Sequence, residues 1–198
     1  MIKAFLVGYP GSQKIVPASD YLIAKYVVDV SCEIFPIFLN HTGAVENWAR
    51  ALETFFGLLS DELVIFALDD YLVSGKLDVQ IYESALRCME SEPVRDTGPV
   101  ACIKLCHASK EENDAYPVTT QWTIWRREVL LRILAAVWTP WEFEILGSSW
   151  FKEHGLRFLH APALPYFTNS ALSGRWEGVR LDGLNAADKR AVKKLISI

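Results

Sequence analysis

The chain has 198 residues, 51% of them apolar on the wider count and 22% charged, which excludes a disordered or collagen-like protein. Its Lys and Arg number 20 against 24 Asp and Glu, a formal charge of -4 with no like-charge block, which argues against a nucleic-acid partner. One domain over residues 1–198 is expected at this length, able to bury on the order of 70% of its unfolded surface. The opening MIKAFLVGYPGSQKI is too short in apolar residues for a signal peptide, and no stretch approaches a transmembrane segment, so a cytoplasmic protein is expected. Cys32, Cys88, Cys102 and Cys106 form no CxxC pair and read as buried thiols.

In chain order, short apolar runs predict strands at Ile2 to Val7, Ile34 to Leu39, Leu63 to Leu68, Val100 to Leu105 and Arg157 to His160. Pro36 marks the second run as an edge strand, because proline cannot donate to a ladder. Between them, Leu22, Ile23, Tyr26, Val27 and Val30 recur at helical spacing after Ser19, a good N-cap. Trp48, Leu52, Phe55, Phe56 and Leu59 repeat the pattern, as do Val79, Tyr82, Leu86 and Met89. So do Val129, Leu130, Ile133, Leu134 and Val137. Thr139, Pro140 and Glu142 predict a capping box with proline at the first helical position. A last helix is expected from Asn185 to Ile196, and Ser109 to Thr120 and Pro162 to Gly183 read as loops that could cover a site. Strands alternating with helices predict the α/β class: a single-domain, mostly parallel mixed sheet flanked by helices.

The run ELVIFAL, Glu62 to Leu68, has the continuous apolarity of a central parallel strand, and Asp69 and Asp70 follow at once. That places two carboxylates at the carboxyl end of the strand, where open α/β sheets take their ligands. Adjacent carboxylates repel, so a cation is expected to hold both ionised, and Mg²⁺ or Mn²⁺ suits one or two carboxylates with diphosphate oxygens. The other reading leaves Asp69 capping a turn and Asp70 in water.

The segments 47 to 78, with LDDYLV, 121 to 127 (QWTIWRR) and 139 to 149 (TPWEFEILGSS) resemble the A-type-fold glycosyltransferases of the nucleotide-diphospho-sugar transferase superfamily that carry LDDY and PWEFE motifs. The resemblance implies the Rossmann-like fold of that superfamily and a metal-dependent transfer of sugar from a nucleotide-sugar donor, UDP- or GDP-linked, to an acceptor hydroxyl. It implies Asp70 as metal ligand, with Asp69 on the metal or the donor. This chain has Leu68 where a third acid often stands in the family.

Inverting transfer needs a base for the acceptor hydroxyl. Glu142 and Glu144 are the candidates, and two residues apart on a helix they point about 200° from one another. Glu142 carries the capping duty, yet lies nearer the helix mouth and is placed slightly ahead as catalytic residue. Of the tryptophans, Trp125 and Trp141 stand beside motif residues and are read as donor- and acceptor-binding, with Tyr71 also at the acceptor and Gln121 at the donor. Trp138, Trp150 and Trp48 are read as packing. Tyr9, in the GYPGS turn after the first strand, is a candidate base-stacking residue, and Arg175 a candidate diphosphate clamp. His160, ending a predicted strand, is a candidate late metal ligand. The absence of GxGxxG, a Walker lysine and a G-x-S-x-G elbow disfavours dehydrogenase, P-loop and hydrolase readings. A non-catalytic nucleotide- or sugar-binding protein of the same fold is the alternative, and a nucleotidyltransferase the third class.

Overall fold

The computed structural model describes residues 2–8, 15–27, 32–38, 48–69, 71–91, 100–106, 116–168, 181 and 183–196, with 32–38 and 166–168 as backbone alone. The strands among the described residues are β1 (Ile2–Gly8), β2 (Cys32–Phe38), β3 (Leu63–Leu68), β4 (Tyr71–Val73), β5 (Val100–Cys106), β6 (Thr123–Arg126), β7 (Arg157–Leu164) and β8 (Tyr166–Thr168). The helices among the described residues are α1 (Val16–Tyr26), α2 (Trp48–Gly57), α3 (Val79–Glu90), α4 (Arg127–Ala135), α5 (Pro140–Glu153) and α6 (Ala186–Ile196).

Six strands form one sheet in the order β2-β1-β3-β6-β5-β7, and β4 pairs with β8 in a small second sheet. β1 runs parallel to β2 and β3, and β5 parallel to β7. β6 runs antiparallel to both its neighbours, β3 and β5. The mostly parallel mixed α/β sheet expected from the sequence is the one observed. β2, with Pro36, ends the sheet as the proline predicts.

Strand alternation divides the core into two layers. Ile2, Ala4 and Leu6 of β1 face one way, with Ile65 and Ala67 of β3, onto α1, α3 and α6. Phe5 and Val7, with Val64 and Phe66, face the other way onto α2, α4 and α5. A strand apolar at every position is what a sheet covered on both faces requires.

Several elements differ from expectation. α1 starts at Val16 with Pro17 in its first turn, so Ser19 is an interior, buried helix residue and not the cap. The QWTIWRR segment, read as a motif without secondary structure, supplies β6 and the start of α4. β4 and β8 were not foreseen, because three-residue strands leave no periodicity to read. β7 extends to Leu164, four residues beyond the predicted end. The predicted loop over Ser109 to Thr120 is described only from Tyr116.

Candidate functional site

β3 delivers Asp69 to the carboxyl edge of the sheet, and hydrogen bonds on both sides fix its backbone. The Leu68 amide donates to the Thr120 carbonyl at 2.9 Å, and the Asp69 amide donates to the Val7 carbonyl at 3.1 Å. The end of β1 and the segment before β6 thus hold the strand's exit between them. The Asp69 side chain is 2% exposed. Such burial of a carboxylate is costly unless a specific environment favours it.

The segment 116–122 forms the adjoining wall. Trp122 Nε1 donates to the Tyr71 carbonyl at 3.0 Å, and the Tyr71 hydroxyl stands 3.5 Å from Thr120 Oγ1. Cys106 Sγ donates to Gln121 Oε1 at 3.0 Å, which attaches the same segment to the end of β5.

α5 closes the arrangement from the other side. Thr139 caps it, its Oγ1 accepting from the Glu142 amide at 3.1 Å. Glu142 Oε2 accepts in return from the Thr139 amide at 3.2 Å and from the Trp138 amide at 2.7 Å. The capping box read from the sequence is therefore formed. Phe143 is anchored in the aromatic cluster, its ring 5.9 Å from Trp48, 5.8 Å from Phe66 and 6.0 Å from Trp125 between centroids. One residue on, Glu144 Oε1 accepts from the Thr120 amide at 2.9 Å, Thr120 Oγ1 at 2.8 Å and Thr119 Oγ1 at 3.3 Å. A continuous path of bonds thus joins Glu144 to the strand that carries Asp69, through Thr120.

Asp69, Tyr71, Gln121 and Glu144 are accordingly gathered at one end of β3, by Thr120. Other candidates are elsewhere. Glu142 is turned to the helix cap. Trp125 is 0% exposed in the core between β6 and α5, so it packs the sheet and offers no face to a ligand. Trp141 is 56% exposed in the first turn of α5, three residues before Glu144, and Trp138, expected in the core, is 54% exposed. Trp48 is buried as expected, and Trp150 is half-buried against the same cluster.

His160 is not beside Asp69. Phe66, Thr123, Lys104 and His160 lie in register across β3, β6, β5 and β7, so His160 stands three strands from β3, about 14 Å across the sheet. Its ring hydrogen-bonds the Cys106 carbonyl instead. Tyr9, Asp70 and Arg175 lie outside the described residues.

Sequence reasoning missed Thr119, Thr120 and Lys104. Lys104 is 2% exposed in the middle of β5, its Nζ donating to the Tyr116 carbonyl at 2.5 Å and lying 5.1 Å above the Phe158 ring. A lysine inside the apolar run VACIKLC was the available signal. Cys102, on the same strand face, is wholly buried, and burial pushes its thiol far up, so it is inert.

Asp69, with Asp70 next to it in sequence, supplies hard carboxylate oxygens, and one or two of these suit Mg²⁺ or Mn²⁺, which take their remaining ligands from phosphates and water. Among the described residues no three His, Cys, Asp or Glu side chains gather as a metal cage.

No helix among the described residues is long and apolar enough to cross a membrane. No protein family and no curated protein matches the sequence. Among the solved structures similar to the chain are three at a TM-score of 0.48. A protein from STIV is 16% identical, with 85% of each chain covered. Glucosyl-3-phosphoglycerate synthase from Mycobacterium tuberculosis, in complex with Mn²⁺ and UDP-glucose, is 13% identical over 99% of this chain and 78% of its own. A glycosyltransferase involved in glycosylation of the major capsid of PBCV-1 is 11% identical, with 100% of both chains covered.

Proposed function

We propose that this chain is a single-domain, cytoplasmic, metal-dependent glycosyltransferase that moves a sugar from a UDP- or GDP-linked donor to an acceptor hydroxyl with inversion. The observation that carries the reading is the path of hydrogen bonds from Glu144 through Thr120 to Leu68, the residue before Asp69, at the carboxyl end of β3. The LDDY and PWEFE segments are far apart in sequence, and folding joins them.

Asp69 and Asp70 would hold Mg²⁺ or Mn²⁺. Such an ion neutralises the charge that develops on a departing nucleoside diphosphate. Glu144 is the better base of the two glutamates, because Glu142 is engaged at the helix cap. In this role a Glu144 carboxylate oxygen takes the proton of the acceptor hydroxyl as the new glycosidic bond forms. The bonds from Thr119 and Thr120 to Oε1 orient that carboxylate before the acceptor arrives. Trp141, three residues before Glu144 on α5 and exposed, offers a ring face to an acceptor sugar, with Tyr71 beside Thr120. Tyr9, Gln121 and Arg175 are assigned to the donor on the sequence pattern.

A non-catalytic binder of the same fold is the second reading, favoured by one observation. Glu144 Oε1 already accepts three hydrogen bonds, an arrangement that a purely structural carboxylate would also show.

Thermal unfolding with UDP, GDP and each of their sugar conjugates, with and without Mn²⁺, tests binding, and release of free sugar from the donor tests turnover. The enzyme reading expects Glu144→Gln to retain the Mn²⁺-dependent shift and lose turnover. The binder reading expects a shift with no turnover in the parent. Release of pyrophosphate from a nucleoside triphosphate would instead indicate a nucleotidyltransferase.

A further inference from the structure

The interior of α5 holds two residues that helix propensity disfavours, Gly147 and Ser148, and both face the segment that borders Asp69. A Cβ on Gly147 would stand 2.8 Å from Ile133 Cγ2 and 3.2 Å from Val118 Cγ1. The bare Cα therefore lets α5 lie against α4 and Val118 at a distance no other residue permits. Ser148, 4% exposed, uses that proximity. Its Oγ accepts from the Val118 amide at 3.1 Å and lies 3.4 Å from the Val118 carbonyl, to which it donates. The next residue, Ser149, shows the contrast: its hydroxyl is exposed and turns back to the Ile145 carbonyl of its own helix.

Val118 is 0% exposed and two residues before Thr120, whose carbonyl receives the Leu68 amide one residue before Asp69. A buried amide and carbonyl outside regular structure need partners, and for Val118 one side chain supplies both.

We propose that Ser148 is a positioning residue for the Asp69 edge: it seats segment 118–120 against α5 and thereby sets where β3 ends, with Gly147 providing the access. Its link to donor binding rests on the proposed function; its link to the end of β3 does not. Without the hydroxyl the Val118 backbone groups lose their shared partner, the segment shifts, and the Thr120 carbonyl leaves its place opposite Leu68. Displacement of about 1 Å at a reacting centre is enough to cost on the order of a hundredfold.

The test compares Ser148→Ala with Asp78→Ala, in the full chain. Asp78 caps α3 on the opposite face of the sheet, its Oδ1 accepting from the Ile81 amide at 3.0 Å, so its loss removes a helix cap and none of the bonds that hold segment 118–120. Two readouts are taken: hydrogen exchange at the Leu68 and Thr120 amides, and the KM for a UDP- or GDP-sugar against that for the acceptor. Ser148→Ala is expected to speed exchange at both amides about tenfold and to raise the donor KM about tenfold, with the acceptor KM moving too because Thr120 also touches Tyr71 and Glu144. Asp78→Ala is expected to change neither beyond its global loss of stability. Ser148→Cys, which keeps the volume and a weaker donor, is read the same way if Ser148→Ala does not fold, and otherwise should fall between parent and alanine. Equal exchange in the Ser148 and Asp78 variants overturns the proposal, as does a Ser148→Ala protein with parental donor KM in an active enzyme. If the parent neither binds nor turns over any nucleotide sugar, the proposed function fails, and the amide exchange alone decides whether Ser148 positions this edge.

Discussion

Glu142 and Glu144 stand one helical step either side of the buried Phe143, and their hydrogen bonds separate their duties. Glu142 and Thr139 satisfy amides that the first turn of a helix leaves without intrahelical partners. Thr139→Ala should therefore lower stability by about 1 kcal/mol, a fall of about 2–4 °C in a thermal melt, and leave the Mn²⁺-dependent nucleotide response intact. Asp69→Asn keeps the shape of a buried side chain and removes its charge. It is expected to abolish the Mn²⁺-dependent part of that response, measured by the same melt, while circular dichroism stays native; an undiminished Mn²⁺ shift would remove Asp69 from the site. The position of Asp69 was legible from an apolar run followed by an acid. The hydrogen-bond partners of Glu144 were not, because Thr119 and Thr120 lie in an aperiodic segment with no signal of its own.

At the scale of the element, α5 is a beam seated at both of its working surfaces. Phe143 fixes it to the aromatic cluster below, and Glu144, Gly147 and Ser148 fix the 116–122 segment to it. Phe143→Ala should cost about 3–5 kcal/mol through the cavity left among Trp48, Phe66 and Trp125, read as a shift in denaturant midpoint with unchanged slope. Trp125 belongs to the same cluster, and its buried Nε1 has no hydrogen-bond partner among the described residues. Trp125→Phe gives up apolar area but also an unsatisfied donor, so it should be tolerated and should leave nucleotide affinity unchanged in the thermal-shift titration. The sequence placed this tryptophan at a ligand because it adjoins Gln121 and the motif. Because β6 runs antiparallel to β3, Trp125 pairs with Val64 near the start of β3, away from Asp69, and adjacency in sequence does not show where a strand residue falls in register.

Across the whole molecule, α1 is tied to α6 by Asp188, which is 0% exposed. It accepts from Lys25 Nζ at 2.5 Å, from Tyr21 at 3.1 Å, from Asn185 at 2.6 Å and from the Tyr26 hydroxyl. Burial pushes its carboxyl up, but the hydrogen bonds from Lys25, Tyr26, Tyr21 and Asn185 outweigh it and hold the group below the usual carboxylate range. Lys25 and Tyr26 are raised, each chiefly by its own hydrogen bond to Asp188. A depressed acid stabilises the fold above its unfolded value and loses that contribution as pH falls; raised Lys and Tyr groups stabilise below their unfolded values and lose it as pH rises. The melting temperature should thus decline below about pH 4 and above about pH 10. The difference between parent and Asp188→Asn should be largest between those limits and shrink beyond both. A difference independent of pH would mean that this cluster does not supply the linkage.

The sequence by itself determined the class of fold, the apolar strands, the spacing of most helices, the capping box of α5 and the arrival of an acid at the end of β3. These follow from local rules: periodicity reports which faces are covered, and caps and prolines act within a few residues. Only the tertiary structure decided that β6 runs antiparallel between β3 and β5, that His160 stands three strands from Asp69, and that Glu144 rather than Glu142 reaches the 119–120 segment. Each of these depends on which distant residues meet, and a hydrogen bond between positions 24 residues apart leaves no trace in the local pattern of either.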